Sequence, residues 1–164
     1  MAENSVISKF QFINYKIDRV SYEITHNVSL LHNFGTIDNE NFELSFRIRV
    51  PNRIKKEKIF ITGLDVKFLQ NSKQAKCEDD FIFRGEMGIV GIFKVVDGEL
   101  SEDVSEKLAK IQGPALLLPY LRAALTSMFT NNGIGSFIFP LINIYKMAED
   151  TMSDVKIVDI EPVL

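Results

Sequence analysis

Two histidines, one cysteine and a run of spaced glycines are the residues of this chain whose types could do chemistry. His26 and His32 are separated by five residues, with Asp38 further on. A bound metal needs three or four ligands at suitable spacing, and no cysteine pair or HExxH helix supplies the rest, so both read as loop histidines. Cys77 sits in QNSKQAKCEDD, where Glu78, Asp79 and Asp80 disfavour the thiolate that a nucleophile needs. Gly85, Gly88 and Gly91 lie inside a strand-like alternation with no Lys-Ser or Lys-Thr opening a helix, and Gly133-Ile134-Gly135 follows a helical pattern, so neither run cradles a phosphate. No serine stands in a nucleophile elbow. The expectation is no catalytic residue, no metal and no cofactor.

The elements that would have to position any site begin with strands. Residues 42–50 alternate without a fault, with Phe42, Leu44, Phe46, Ile48 and Val50 on one side and Glu43, Ser45, Arg47 and Arg49 on the other. Residues 59–69 repeat the pattern at Leu64, Val66 and Phe68, and residues 81–95 place Phe81, Phe83, Met87, Ile89, Phe93 and Val95 on one face. An earlier strand runs Phe10, Phe12, Tyr15, Ile17, Val20, Tyr22, Ile24, where the step of two twice becomes three. That slip predicts one bulge near Ile13 and Asn14 and another near Asp18 and Arg19. Four such strands make an antiparallel sheet. RIKKEK at 53–58 reads as a solvated turn.

Polarity changes after Asp97-Gly98. Ser101 followed by Glu102 and Asp103 reads as an N-cap with acids in the first turn. A short helix to about Lys110 is expected to break at Gly113-Pro114, before the apolar segment 115–130, whose single charged residue is Arg122. Apolar side chains lie on more than one face of that segment, so one face should cover the sheet and the other meet a second subunit. Pro119 either kinks this helix or starts its regular part, and Asn131-Asn132-Gly133 ends it. A second short helix fits 142–152, while the segment 155–164 has no clear assignment.

Length and composition bound the rest. A chain of 164 residues, 46% of them hydrophobic, is read as one domain, 1–164, with a core at about 10–152 and a tail at 153–164. A single cysteine, and an N-terminal stretch with neither a basic nor an apolar signal region, point to the cytoplasm. The most apolar windows, 114–121 and 137–142, are far shorter than the roughly 20 residues needed to cross a bilayer. Nineteen basic against 22 acidic residues, scattered along the chain, exclude nucleic acid as an obvious partner.

The segment GPALLLPYLRAALTSMFTNNGIGSFIFPLIN, residues 113–143, resembles the helix and following loop of the SecB protein-export chaperone family through Leu117, Leu118, Pro119, Tyr120, Arg122, Ser127, Met128, Gly133, Pro140 and Asn143. Val20-Ser21-Tyr22-Glu23 is similar to that family's first strand and GIVGIF, residues 88–93, to the end of its fourth. The resemblance implies an α+β fold with a four-stranded antiparallel sheet, a long apolar helix and a short C-terminal helix. It also implies a dimer or dimer of dimers and ATP-independent binding of unfolded or precursor polypeptides in support of protein export. The client surface it implies is built from Val28, Leu30, Leu31, Phe34 and Ile37 of the loop after the first strand and Ile142, Ile144, Tyr145 and Met147 of the last helix. Leu117, Leu121, Leu125 and Met128 are expected in the core or the oligomer interface, with Tyr120 and Arg122 fixing that packing at the interface. Acidic positions by which the family docks on the SecA motor fall on Arg19 and Arg84, with Glu23 retained, and reversed charge selects against that partner. Two other classes fit the pattern: a SecB-like module dedicated to one partner such as an antitoxin, and a small hot-dog-type enzyme using Glu23, Glu102 or Asp103.

Overall fold

The computed structural model describes residues 9–35, 37–38, 40–73, 80–96 and 100–162, so Cys77 and Asp97-Gly98 lie outside the described residues. Strand β1 (Phe10–Ile24) pairs antiparallel with β5 (Phe81–Val95), and the register shifts between Phe12 and Asn14 and again between Ile17 and Arg19. Ile13 and Asp18 are therefore the two extra residues. Each restores the alternation, so that Phe10, Phe12, Tyr15, Ile17, Val20, Tyr22 and Ile24 lie opposite Val95, Phe93, Gly91, Ile89, Met87, Gly85 and Phe83 along one face.

The sheet continues from β5 to β4 (Ile59–Asn71), which carries β2 (Phe42–Ile48) on one half of its length and β3 (Asn52–Ile54) on the other. A tail strand, β6 (Val158–Asp159), pairs in parallel with β3. The expected four-stranded antiparallel sheet is thus corrected to a mixed sheet of six strands among the described residues. Residues Lys55–Glu57 make the expected exposed turn, and Lys58 closes it at φ 53°. Arg53 departs from the solvated reading: its side chain is 10% exposed and reaches Glu102, Glu106 and Asp159.

Ser101 accepts a hydrogen bond from the Val104 N–H (3.3 Å) and starts α2 (Glu102–Lys107). The break expected at Gly113-Pro114 does not occur. A π turn, Leu108–Gln112, joins α2 to α3 (Gly113–Asn131), and the helix runs unbroken from 102 to 131. The Gly113 N–H bonds to the Leu108 carbonyl, one residue further back than in an α-helix, so the widened turn absorbs the strain around Pro114, which has no N–H to donate. Gly113 is required by contact as well: a Cβ there would stand 2.8 Å from Thr62 Cγ2 on β4. Pro119 lies inside α3 on its exposed side, and Gly133, at φ 77°, ends the helix where expected.

Leu117, Leu118, Leu121, Leu125 and Phe129 of α3 form one core with Phe60, Leu64, Val66 and Phe68 of β4 and Phe83, Met87, Ile89 and Phe93 of β5. Two short helices complete the fold. α1 (Val28–Asn33) follows β1, and α4 (Ile144–Met152) packs against β2, α3 and the π turn through Ile144, Ala148 and Met152.

Candidate functional site

The segment after β1 is ordered by its own polar groups. Asn27 caps α1 by accepting from the Ser29 and Leu30 N–H groups (3.0 and 3.2 Å). Gln70, fully buried, accepts from the Asp38 N–H (3.1 Å) and donates to the Asn71 carbonyl (3.2 Å), which pins the segment to the end of β4. The Asn41 side chain and the Glu40 N–H hold the Asp38 carboxyl below the usual carboxylate range. Leu30, Phe34 and Ile37 are half-buried and, with Ile82, line a groove of about 750 Å³. Phe34 packs edge-on against Phe83 (5.7 Å between centroids), whereas Val28 and Leu31 project into solvent, 79% and 44% exposed.

From Phe83 an aromatic seam runs across the same face. Phe42 touches Phe83 (5.8 Å) and meets Phe137 edge-on (5.3 Å); Phe137 meets Phe139 (6.0 Å), and Phe139 meets Phe46 (5.6 Å). Arg122 of α3 lies over Phe139 at 5.1 Å. With Phe137 half-buried and Phe139 buried, the residues between and after them are pushed outward: Ile138 is 92% exposed and Leu141 96%. Further on, Tyr145 is exposed, Ile142 and Met147 are half-buried, and Ile144 is buried. Ile144 is therefore a core residue, a correction to its expected place on the client surface: it shares the inward stripe of α4 with Ala148 and Met152.

Sequence reasoning missed Phe137, Ile138, Phe139 and Leu141. The signal was present, since SFIFPLI is an apolar run interrupted by Pro140 that cannot sort its side chains by helical phase.

The expected oligomer interface is corrected in the same way. Leu117, Leu121 and Leu125 are wholly buried against the chain's own sheet and have no surface left for a partner. Tyr120 and Arg122 are exposed and Met128 is half-buried. Tyr120 packs on Tyr15 (4.6 Å) and Phe12 (5.4 Å), so it continues the surface of β1, which among the described residues pairs only with β5. Ile13 and Val20 of that edge strand are 55% and 56% exposed.

The opposite face of the sheet is charged, and its arginines are paired with carboxylates. Arg49 lies across Gly63 and Gly88, where a Cβ would collide with its side chain, and is gripped by Asp18 (2.6 Å) and Asp65 (3.0 Å). Arg47 reaches Asp65 (2.8 Å), Arg19 faces Glu86 (3.6 Å), and Arg84 pairs with Glu23 (3.1 Å). Hydrogen bonds from Arg49 pull the Asp18 carboxyl below its usual range. Burial pushes Asp65 upward, but bonds from Arg49 and Arg47 outweigh it and leave the group lowered.

The carboxyls of Asp18, Asp38, Asp65 and Asp159 are all displaced downward, which suits structural anions rather than general acids. The acids considered for an enzyme are engaged or exposed: Glu23 with Arg84, Glu102 with Arg53, and Asp103 on the surface. His26 and His32 are exposed, and among the described residues no cluster of histidine, cysteine and acid could hold a metal. Gly91 makes room for Leu117, whose Cδ2 would lie 2.6 Å from a Cβ, as a packing glycine should.

No helix of the described residues is long and apolar enough to cross a membrane. No family model matches the chain, and no curated protein does. Among solved structures, it is similar to a SecB-like chaperone of Mycobacterium tuberculosis in complex with a ChAD peptide from the HigA1 antitoxin. The TM-score is 0.61 at 10% identity, over 82% of this chain and 91% of that one. A protein of unknown function from Streptococcus agalactiae aligns with a TM-score of 0.35 at 14% identity, over 81% of this chain and 97% of that one. The long helix and short final helix on a mixed sheet thus give this chain a SecB-like α+β fold.

Proposed function

We propose that this chain is a single-domain, non-enzymatic, ATP-independent holdase of the cytoplasm that binds unfolded or precursor polypeptides along the aromatic seam. The observation that carries the reading is the pair Ile138 and Leu141, held almost wholly in solvent beside buried Phe139 and half-buried Phe137. A monomeric surface rarely spends large aliphatic side chains in this way unless something covers them. The bound segment would extend from Val28, Leu30, Leu31, Phe34 and Ile37 past Phe42 and Phe137 to Ile142, Tyr145 and Met147. Aromatic and methionine side chains repack around varied sequences, which suits clients that share hydrophobicity and no motif. Assembly as a dimer or dimer of dimers would use Tyr120, Arg122 and Met128 with the exposed edge of β1.

A second reading, a chaperone dedicated to one partner such as an antitoxin, is favoured by the outer face. The carboxylates of Glu23 and Glu86 are paired with Arg84 and Arg19, which leaves little acidic surface for a SecA-type motor. The M. tuberculosis chaperone of the same fold was solved with an antitoxin peptide.

Light scattering from an aggregating client, such as α-lactalbumin unfolded by reduction of its disulfides with dithiothreitol, tests both readings. The chain should suppress aggregation near stoichiometric ratio. Ile138→Asp with Leu141→Asp should weaken capture by roughly tenfold or more, about 1.4 kcal/mol, without lowering the melting temperature. Suppression that survives the double substitution would remove the seam from the mechanism, and suppression confined to a single client would select the dedicated reading.

A further inference from the structure

The tail strand β6 is held by a device that can let go without leaving a buried charge alone. Arg53, 10% exposed, directs its Nε and Nη2 at the Asp159 carboxylate (2.6 and 3.1 Å). Its Nη1 goes to Glu102 (2.9 Å) and Glu106 (2.7 Å) in the first turns of the long helix. One guanidinium thus serves three carboxylates. Removing a lone partner from a buried ion is costly because the remaining charge is stranded. Here that cost is reduced: if Asp159 leaves, Glu102 and Glu106 still neutralise the Arg53 charge through Nη1 although Nε and Nη2 give up their acceptor, repulsion among the three anions falls, and Asp159, already 53% exposed, returns to water.

The rest of the tail is lightly held. Two residues form β6, both exposed, with the Val158 and Ile160 N–H groups donating to the Pro51 and Arg53 carbonyls (3.1 and 2.9 Å). Val155 and Ile157 pack partly against the core. The tail follows α4 directly, and at its other end α4 follows the loop that exposes Ile138 and Leu141 and is anchored by Phe137 and Phe139. The inward face of α4, Ile144, Ala148 and Met152, is buried, and Phe139 just before the helix is buried against the half-buried Phe46.

We propose that residues 144–160 form a strap, closed by the Arg53–Asp159 contact, whose release loosens α4 and adds its buried apolar face to the client surface. Asp159 is the detachable member of the hub and Glu102 with Glu106 are the reserve. The effect on client capture rests on the holdase reading; the coupling of tail to helix does not.

Hydrogen exchange on the full chain, read by segment, tests the coupling. Asp159→Asn should speed exchange in both β6 and α4 by roughly tenfold, while α3 and β4 keep their protection. Glu106→Gln should act in the opposite direction and slow the Val158 and Ile160 amides, because Arg53 then depends more on Asp159. That sign separates a strap from general destabilisation, which would speed exchange in both variants. Faster exchange in β6 with α4 unchanged, or equal acceleration throughout the chain in either variant, overturns the proposal. In parallel, Asp159→Asn should bind carboxymethylated α-lactalbumin several-fold more tightly. Unchanged binding with α4 loosened would overturn the client role of the strap. Absence of binding even in the unsubstituted chain would sink the holdase reading and leave the strap standing on the exchange data.

Discussion

Residues 114–121 and 137–142 are the two most apolar windows of the chain, yet one places most of its leucines in the core and the other leaves Ile138 and Leu141 in water. In the first, the helical period of α3 sorts Leu117, Leu118 and Leu121 onto the sheet and sends Pro119 and Tyr120 outward. In the second, Pro140 and the loop backbone deny any such period. Phe137 and Phe139 find ring partners, while Ile138 and Leu141 stay exposed among the described residues. Hydrophobicity alone therefore does not separate core from binding surface. Periodic backbone hides apolar residues, and irregular backbone between aromatic anchors displays them.

The sharpest way to break this contrast is to truncate one side chain in each window. Leu121→Ala should lower unfolding free energy by about 2–5 kcal/mol, because the side chain is wholly buried in a packed layer. Ile138→Ala should change it by no more than about 0.5 kcal/mol. Urea denaturation measures both. Equal losses would mean that Ile138 is buried in the protein in solution, by a second copy or a closed loop, and the display argument would fall.

How far the sequence reached follows the same division. Both bulges of β1, the Ser101 cap and the Gly133 stop were legible because each is a local rule written within a few residues. The inward phase of α4 was not applied to Ile144, although Ala148 and Met152 on the same stripe were available to be read. The Arg53 hub was beyond reach in principle: its partner Asp159 is 106 residues away, and a lone arginine in a basic turn carries no local mark of burial. The π turn was also hidden. Gly-Pro normally ends a helix, and only the close seat on Thr62 and a widened turn let it pass through.

Replacing charge instead of apolar area asks whether the outer face contributes to holding the core window in place. Asp65 and Asp18 have pKa values below those of unfolded aspartate, roughly 3.9. A depressed carboxyl contributes stability that is fully present above the unfolded value and is lost as pH falls through the folded one. Stability of the chain should therefore fall below about pH 4. Asp65→Asn should flatten that acid limb, and near neutrality it should cost about 1–3 kcal/mol, since Arg49 and Arg47 lose a nearly buried partner. Thermal melts across pH decide it. An unchanged acid limb in this variant would assign the acid sensitivity to other carboxylates and detach the outer network from core stability.

The smallest expected effect lies where the core window begins. Gly113→Ala should help the helix by about 1 kcal/mol on propensity alone. The new methyl, however, meets Thr62 at 2.8 Å from Cγ2 and 2.9 Å from Oγ1, so Thr62 must turn or α3 must lift from β4. Thr62 is buried with an unpartnered hydroxyl and has little room to turn, and overpacking of this kind costs about 1–3 kcal/mol. The net should be a loss of about 1 kcal/mol, and Gly113→Ala combined with Thr62→Ala should recover most of it, because the second substitution removes the atoms that the first one strikes. A double-mutant cycle by urea denaturation measures the coupling. If the two substitutions simply add, the close seat of α3 on β4 is not what requires glycine at 113, and the geometry of the π turn itself would have to explain it.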